Sequence, residues 1–134
     1  VDVPVIAAGG IADGRGVAAA FALGASAVQM GTRFVLSEEC IAHENYKNAV
    51  LKAKDRATVM TGLTTGHPVR ILDNSLAHQY KALEFSGGSK EELEKLGAGT
   101  LRSAAIDGDV KEGSVMIGQI AGMLTSIKSC DRLS

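Results

Sequence analysis

The residues best suited to chemistry in this sequence lie in two short turns, Ala8-Gly9-Gly10-Ile11 and Met30-Gly31-Thr32-Arg33-Phe34. Each turn follows a short apolar run, residues 3–8 or 26–30, and each leads into a stretch with helical spacing. A glycine carries no Cβ, so a ligand's oxygen atoms can approach its main chain. Amide hydrogens at such a strand-to-helix turn lack a ladder partner, and a helix start adds partial positive charge. Two such turns on neighbouring parallel strands can close around one phosphate dianion. The expected cradle is Ala8, Gly9 and Gly10 on one side and Gln29, Met30, Gly31 and Thr32 on the other, with the Thr32 hydroxyl as an added donor. Arg33 can also reach an anion, but an Arg that opens a helix more often forms a surface salt bridge, and that is its expected role.

Other candidates are weaker. His43 sits in a polar amphipathic stretch and reads as a hydrogen-bonding residue at a helix surface or between segments. His67 precedes a proline in a loop; it can line a substrate mouth, and a loop-ordering hydrogen bond is the simpler role. His78 lies on a polar helix with no chemistry implied. No two His stand at i, i+3 or i, i+4, and none neighbours a Cys pair, so no metal site is expected. Glu38-Glu39 and Glu91-Glu92 are adjacent pairs, which diverge on a helix and make no acid–base dyad. Gln119 is a polar residue within an apolar run. Burying it unpaired costs about 1–3 kcal/mol, so it should bind backbone or face a polar ligand.

These residues need elements to hold them. Residues 3–8 form a continuous apolar run, as in a parallel strand covered on both faces. Asp13 is placed to cap a helix over 14–23, and Gly24 ends it in the left-handed conformation. A second strand over 26–30 completes a strand–helix–strand unit with a right-handed crossover. Beyond residue 36, Ile41, Tyr46, Val50 and Leu51 recur near helical spacing over 37–54. Residues 57–72 read as an extended segment and a Gly/Pro loop. A helix over 73–83 is capped by Asp73 or Asn74, and Ser89 opens a capping box before a helix to Leu96. Asp107-Gly108-Asp109 is a turn. Residues 114–125 suggest a closely packed helix with Gly118 and Gly122 on one face.

Composition narrows the class. Apolar residues are 46% of the 134 and aromatics only 4%, so small aliphatic side chains must fill the core. The 14 basic and 15 acidic residues give a net charge of −1, which offers no attraction to nucleic acid or anionic lipid. No run approaches the ~20 apolar residues needed to span a bilayer. Cys40 and Cys130 are too far apart in sequence for a metal spacing or disulfide framework and read as reduced thiols, which places the protein in the cytoplasm. The abrupt start at Val1, directly before a strand, predicts that the chain is part of a longer one.

The residues Pro4-Val-Ile-Ala-Ala-Gly-Gly-Ile-Ala-Asp-Gly-Arg-Gly16 and Ala22-Leu-Gly-Ala-Ser-Ala-Val-Gln-Met-Gly-Thr-Arg-Phe34 carry a family resemblance. It continues through His43-Glu-Asn-Tyr-Lys47, Gly66-His-Pro-Val-Arg70, Gly97-Ala-Gly99 and Gly113-Ser-Val-Met-Ile-Gly-Gln-Ile-Ala-Gly122. The chain resembles the FMN-dependent enoyl-acyl-carrier-protein reductases of the FabK type, within the nitronate monooxygenase (2-nitropropane dioxygenase) family. IMP dehydrogenases and other flavin barrels share the first half of this pattern; the later segments are more selective.

The resemblance implies the C-terminal part of a (β/α)8 TIM barrel, an α/β fold, with an appended mostly helical region. Residues 1–36 would be the last two strand–helix units, 37–100 the appended region over the barrel mouth, and 101–134 a segment packing back on the barrel. It implies FMN held at the glycine turns, NADH or NADPH as reductant, and reduction of a trans-2-enoyl group on acyl carrier protein. The family's catalytic His would lie upstream of Val1, so no catalytic residue is assigned in this chain. His67, Met116 and Gln119 would border the substrate pocket. The implied partners are the remaining N-terminal barrel portion and the carrier-linked substrate, and a homodimer is compatible. Two other readings are a nitronate monooxygenase using the same flavin site and a non-catalytic module that binds a phosphorylated ligand.

Overall fold

The structure, a computed structural model, describes residues 2–133. The chain starts with strand β1 (Ile6–Ala8), helix α1 (Gly14–Ala22), strand β2 (Ala27–Gln29) and the short helix α2 (Thr32–Val35). Helix α3 (Glu44–Lys52) follows, then strands β3 (Thr58–Thr61) and β4 (Val69–Leu72), and helices α4 (Ser75–Phe85), α5 (Lys90–Gly97) and α6 (Thr100–Arg102). It is a mixed α/β chain with one parallel and one antiparallel two-stranded sheet among the described residues.

The opening strand–helix–strand unit forms as its sequence directs. Asp13 caps α1 by accepting from the amides of Arg15 at 2.9 Å and Gly16 at 3.4 Å. Gly24 ends the helix region at φ +96°, where a side chain would be strained. β1 and β2 pair in parallel, with Ile6 opposite Ala27 and Ala8 opposite Gln29. The expected burial on both strand faces does not occur within this chain. Ile6 is 61% exposed, and Ala8 and Gln29 are exposed beside it. Helix α1 packs on β2, a cleft of about 890 Å³ separates it from Val5 and Ala7 at the first strand, and Ile6, Ala8 and Gln29 stay exposed. Two strands and one helix give a two-sided apolar sheet only one cover.

The rest of the chain holds the core. Leu36, Tyr46, Val50, Ala104, Val115, Ile117, Ala121 and Leu124 are buried together, with Ala12 reaching in from the first unit. The helical spacing over 37–54 yields a helix only from Glu44. Residues 37–43 are irregular, and Ile41 is 90% exposed. Ser37 explains part of this: its Oγ accepts the Cys40 amide at 3.1 Å, and its backbone bridges in parallel to Lys128. A serine bonding its own neighbouring backbone competes with helix formation.

The segment 57–72 folds as a hairpin, with Thr58 opposite Leu72 and Thr61 opposite Val69. Its loop turns at Gly62, at φ +75°, where a Cβ would strike the His67 carbonyl. A buried carboxylate clamps this loop: Glu84 Oε1 accepts from the Thr64 amide at 2.8 Å and hydroxyl at 3.0 Å. Asn74 rather than Asp73 caps α4, and Ser89 and Glu92 close the capping box on α5.

Residues 114–125 do not form the expected helix. Residues 114–118 are extended alongside β4: the Leu72 amide donates to Val115 O at 2.9 Å, and Met116 bridges Ile71. A 3-10 helix, Gln119–Met123, follows. The apolar side chains alternate, with Val115 and Ile117 buried and Met116 turned outward, which is the period of a strand. Gly118 and Gly122 therefore share no helix face. A Cβ on Gly118 would press on Thr32, and one on Gly122 would meet the Lys54–Asp55 backbone.

Candidate functional site

The parallel register sets the geometry of the site. Because Ala8 lies opposite Gln29, the turns that leave β1 and β2 emerge side by side, separated by about one strand spacing, ~4.8 Å. Gly9 and Gly10 have φ of +81° and +72°, and both are exposed. Gly31 has an ordinary backbone, φ −98° and ψ −68°. A Cβ built on any of the three meets no heavy atom within 4 Å, so the space beside the turns is open. Among the described residues, the amide hydrogens of Gly10, Gly31 and Thr32 have no hydrogen-bond partner outside the helices and strands. Helix charge adds little here. α2 has only four residues, and the start of α1 is closed by the Asp13 carboxylate. Asp13 in turn binds the Arg15 guanidinium at 2.7 Å, which holds its carboxyl below the usual pKa.

The C-terminal segment supplies a third wall. Thr32 is buried, and its Oγ1 accepts the Gly118 amide at 2.7 Å. Tyr46 Oη donates to Met116 O at 2.8 Å and pins the same segment from behind. Past Gly118, a cavity of about 360 Å³ lies between Gly10 and the residues Asp55, Gln119, Ile120, Gly122 and Met123. Arg33 does not make the surface salt bridge expected of it. Its side chain is buried, and Nη2 donates to the carbonyls of Leu36 at 2.9 Å and Ser126 at 2.6 Å. Burial lowers its pKa, and its role is to tie the second turn to the chain's last segment.

The residues expected at the site divide. Ala8, Gly9, Gly10, Gly31 and Thr32 come together at the paired turns, with Gln29 exposed beside Ala8. The Met30 side chain turns away, into a gap between α1 and α2 with Val28 and Phe34. His67, Met116 and Gln119 are not brought together. His67 is exposed in the hairpin loop, and its imidazole makes no hydrogen bond among the described residues, in place of the loop-ordering bond expected. Met116 lines a separate cavity of about 370 Å³ with Thr61, Tyr80, Leu93 and Leu101. Gln119 alone meets the turn region, and it is exposed rather than buried because its run is an extended strand and 3-10 turn.

His43 bonds locally, with Nδ1 accepting the Asn45 amide at 3.1 Å to cap α3, and His78 pairs with Asp73 at 3.0 Å. Sequence reasoning missed Tyr46, Asp55 and Gly118. The alternation of Val115 and Ile117 was the available signal for the last. Both cysteines are free thiols, and among the described residues no cluster of His, Cys, Asp and Glu could hold a metal.

A mixed α/β chain with two adjoining glycine turns at the ends of parallel strands is the class that fold and site define. The chain belongs to the nitronate monooxygenase family, whose pattern it matches over residues 1–133. It is 35% identical to a probable nitronate monooxygenase of Staphylococcus aureus over 126 residues, 94% of this chain and 36% of that protein. It is similar to the structure of FabK from Thermotoga maritima at 50% identity and a TM-score of 0.93, covering 99% of this chain and 42% of that one. It is also similar to nitroalkane oxidase from Streptomyces ansochromogenes, at 32% identity and a TM-score of 0.77, covering 99% and 38%. The chain thus spans less than half the length of each of these three proteins.

Proposed function

We propose that this chain supplies the phosphate-binding corner of an FMN-dependent oxidoreductase built on a (β/α)8 barrel. In this reading the enzyme reduces the double bond of a trans-2-enoyl group on acyl carrier protein with NADH or NADPH, in the cytoplasm. The supporting observation is the pairing of two strand-end turns, with open space beside Gly9, Gly10 and Gly31 and with amide hydrogens of Gly10, Gly31 and Thr32 that have no partner outside the helices and strands. Those residues fit a phosphate: several unpaired N–H groups can surround it, and no side chain fills the gap. The one carboxylate on the adjoining cavity, Asp55, repels a dianion but accepts bonds from hydroxyls. That arrangement suits a phosphate between the turns and the neutral polyol of FMN toward Asp55 and Gln119. Bound FMN would supply the hydride chemistry, while the protein binds, orients and excludes water.

The exposed face of β1 and β2 suits further barrel strands laid against Ile6, Ala8 and Gln29. The 0.93 TM-score to FabK favours the reductase. The names of the Staphylococcus relatives favour a second reading, oxidation of alkyl nitronates by oxygen at the same flavin site. The two separate in one experiment on the full-length protein. The reductase consumes NADH or NADPH with a crotonyl thioester, and the monooxygenase consumes oxygen with an alkyl nitronate. Binding is tested by Gly31→Val. The backbone at Gly31 is unstrained and its surroundings are empty, so this variant should fold with the melting temperature of the flavin-free wild-type protein and lose bound flavin. Full flavin occupancy in the folded variant would overturn the phosphate assignment.

A further inference from the structure

The proposed phosphate cleft has a wall that the two glycine turns do not provide. It is the extended segment 114–118, which reaches Thr32 from 86 positions away. We infer that Gly118 is a positioning residue that fixes the Thr32 hydroxyl as a donor toward the flavin phosphate. This rests on the proposed FMN site.

A hydroxyl has one proton to give and two lone pairs to accept with. The Gly118 amide fills one lone pair of Thr32 Oγ1 at 2.7 Å. Among the described residues, no carbonyl or carboxylate takes the Thr32 proton. Thr32 is only 9% exposed, so bulk water has little access to it. The proton therefore stays available to an anion held by the neighbouring amides of Gly31 and Thr32. A hydroxyl that already accepts a hydrogen bond is polarised and donates more strongly.

Backbone freedom is not what requires glycine at this position. Gly118 has φ −77° and ψ 163°, an extended conformation open to any residue. The requirement is space. A Cβ would sit 3.2 Å from Thr32 Oγ1 and 3.9 Å from Ile120 Cγ1. The segment cannot easily yield. Tyr46 holds Met116 O, and the Leu72 amide holds Val115 O. Thr32 must move by a few tenths of an ångström instead, which misaims its hydroxyl.

The test is a double-mutant cycle on the full-length protein, reading FMN and riboflavin affinities side by side. Riboflavin lacks only the phosphate, so an effect on phosphate changes the FMN-to-riboflavin ratio, whereas general loosening of the fold weakens both. Thr32→Val should weaken FMN about tenfold and Gly118→Ala about fivefold, with riboflavin unchanged. In the Thr32→Val background, Gly118→Ala should add nothing, because the hydroxyl it misaims is gone. Thr32→Ser keeps the hydroxyl and should keep FMN affinity, which separates this role from a folding defect. Equal losses for FMN and riboflavin in Gly118→Ala, or full additivity with Thr32→Val, would make Gly118 a packing residue and overturn the inference alone. A wild-type protein that binds FMN no better than riboflavin would overturn the flavin-phosphate reading itself.

Discussion

The first 35 residues and the remainder of the chain bury their side chains very differently. Helix α1 has no buried residue, and Leu23 is 89% exposed on the turn that ends it. In contrast, Leu36, Val50, Val115 and Leu93 in the later region are inaccessible or nearly so. The region with the paired turns is therefore the less self-sufficient of the two. It is fastened to the later region at a few points: Ala12 in the shared core, Thr32 on Gly118, and Arg33 on Ser126. The comparison shows that a candidate binding site can be legible in local sequence while its rigidity comes from a distant segment.

The largest test of this contrast uses one side-chain type in both regions. Leu36→Ala should destabilise the fold by about 2–5 kcal/mol, because it leaves a cavity in a packed core. Leu23→Ala in the same 134-residue chain should change stability by less than about 0.5 kcal/mol. Urea denaturation of both variants checks this, and equal losses would erase the distinction between the regions. A smaller effect is expected from Asn74→Ala. Asn74 Oδ1 caps α4, and Nδ2 donates to the carbonyls of Val110 at 2.9 Å and Gly113 at 2.8 Å. Its loss should cost about 2 kcal/mol by the same measurement, and the FMN-to-riboflavin ratio should not move, since the residue serves the later region alone.

The smallest expected effect concerns pH. Burial pushes the Tyr46 hydroxyl from its ordinary 10.0 up to about 12. A raised pKa means that the folded chain keeps a proton the unfolded chain has released. The contribution of Tyr46 is therefore whole below pH 10 and is lost as pH rises through about 12. Tyr46→Phe should lower stability by about 1 kcal/mol at neutral pH, through the lost bond to Met116 O, and should flatten the alkaline decline. A melting-temperature profile over alkaline pH that is identical in Tyr46→Phe would sever the proposed support of the 114–118 segment.

Much of the chain was written locally. Asp13, the pair Asp73-Asn74 and Ser89 mark helix starts because a short polar side chain must satisfy free amides there, and the structure chose Asn74 of the pair. Gly9, Gly10, Gly31 and Thr32 mark the turns because small residues follow short apolar runs. What local pattern could not decide was partnership. The run 114–118 contains too few residues to separate strand from helix by composition, and its pairing with β4 settled the matter. Arg33 looked like a surface residue until carbonyls as far away as Ser126 claimed it.

The sequence by itself determined the strand-end glycines and the caps of α1 and α5, because each depends on neighbours a few residues apart, and its spread of motifs carried the family. Only the tertiary structure decided that Gly118 meets Thr32, that Gln119 rather than His67 faces the turns, and that one face of the first sheet lies open. Those outcomes depend on contacts between segments 50 or more residues apart, whose closure is governed by the packing of the whole chain and leaves no periodic trace in the residues themselves.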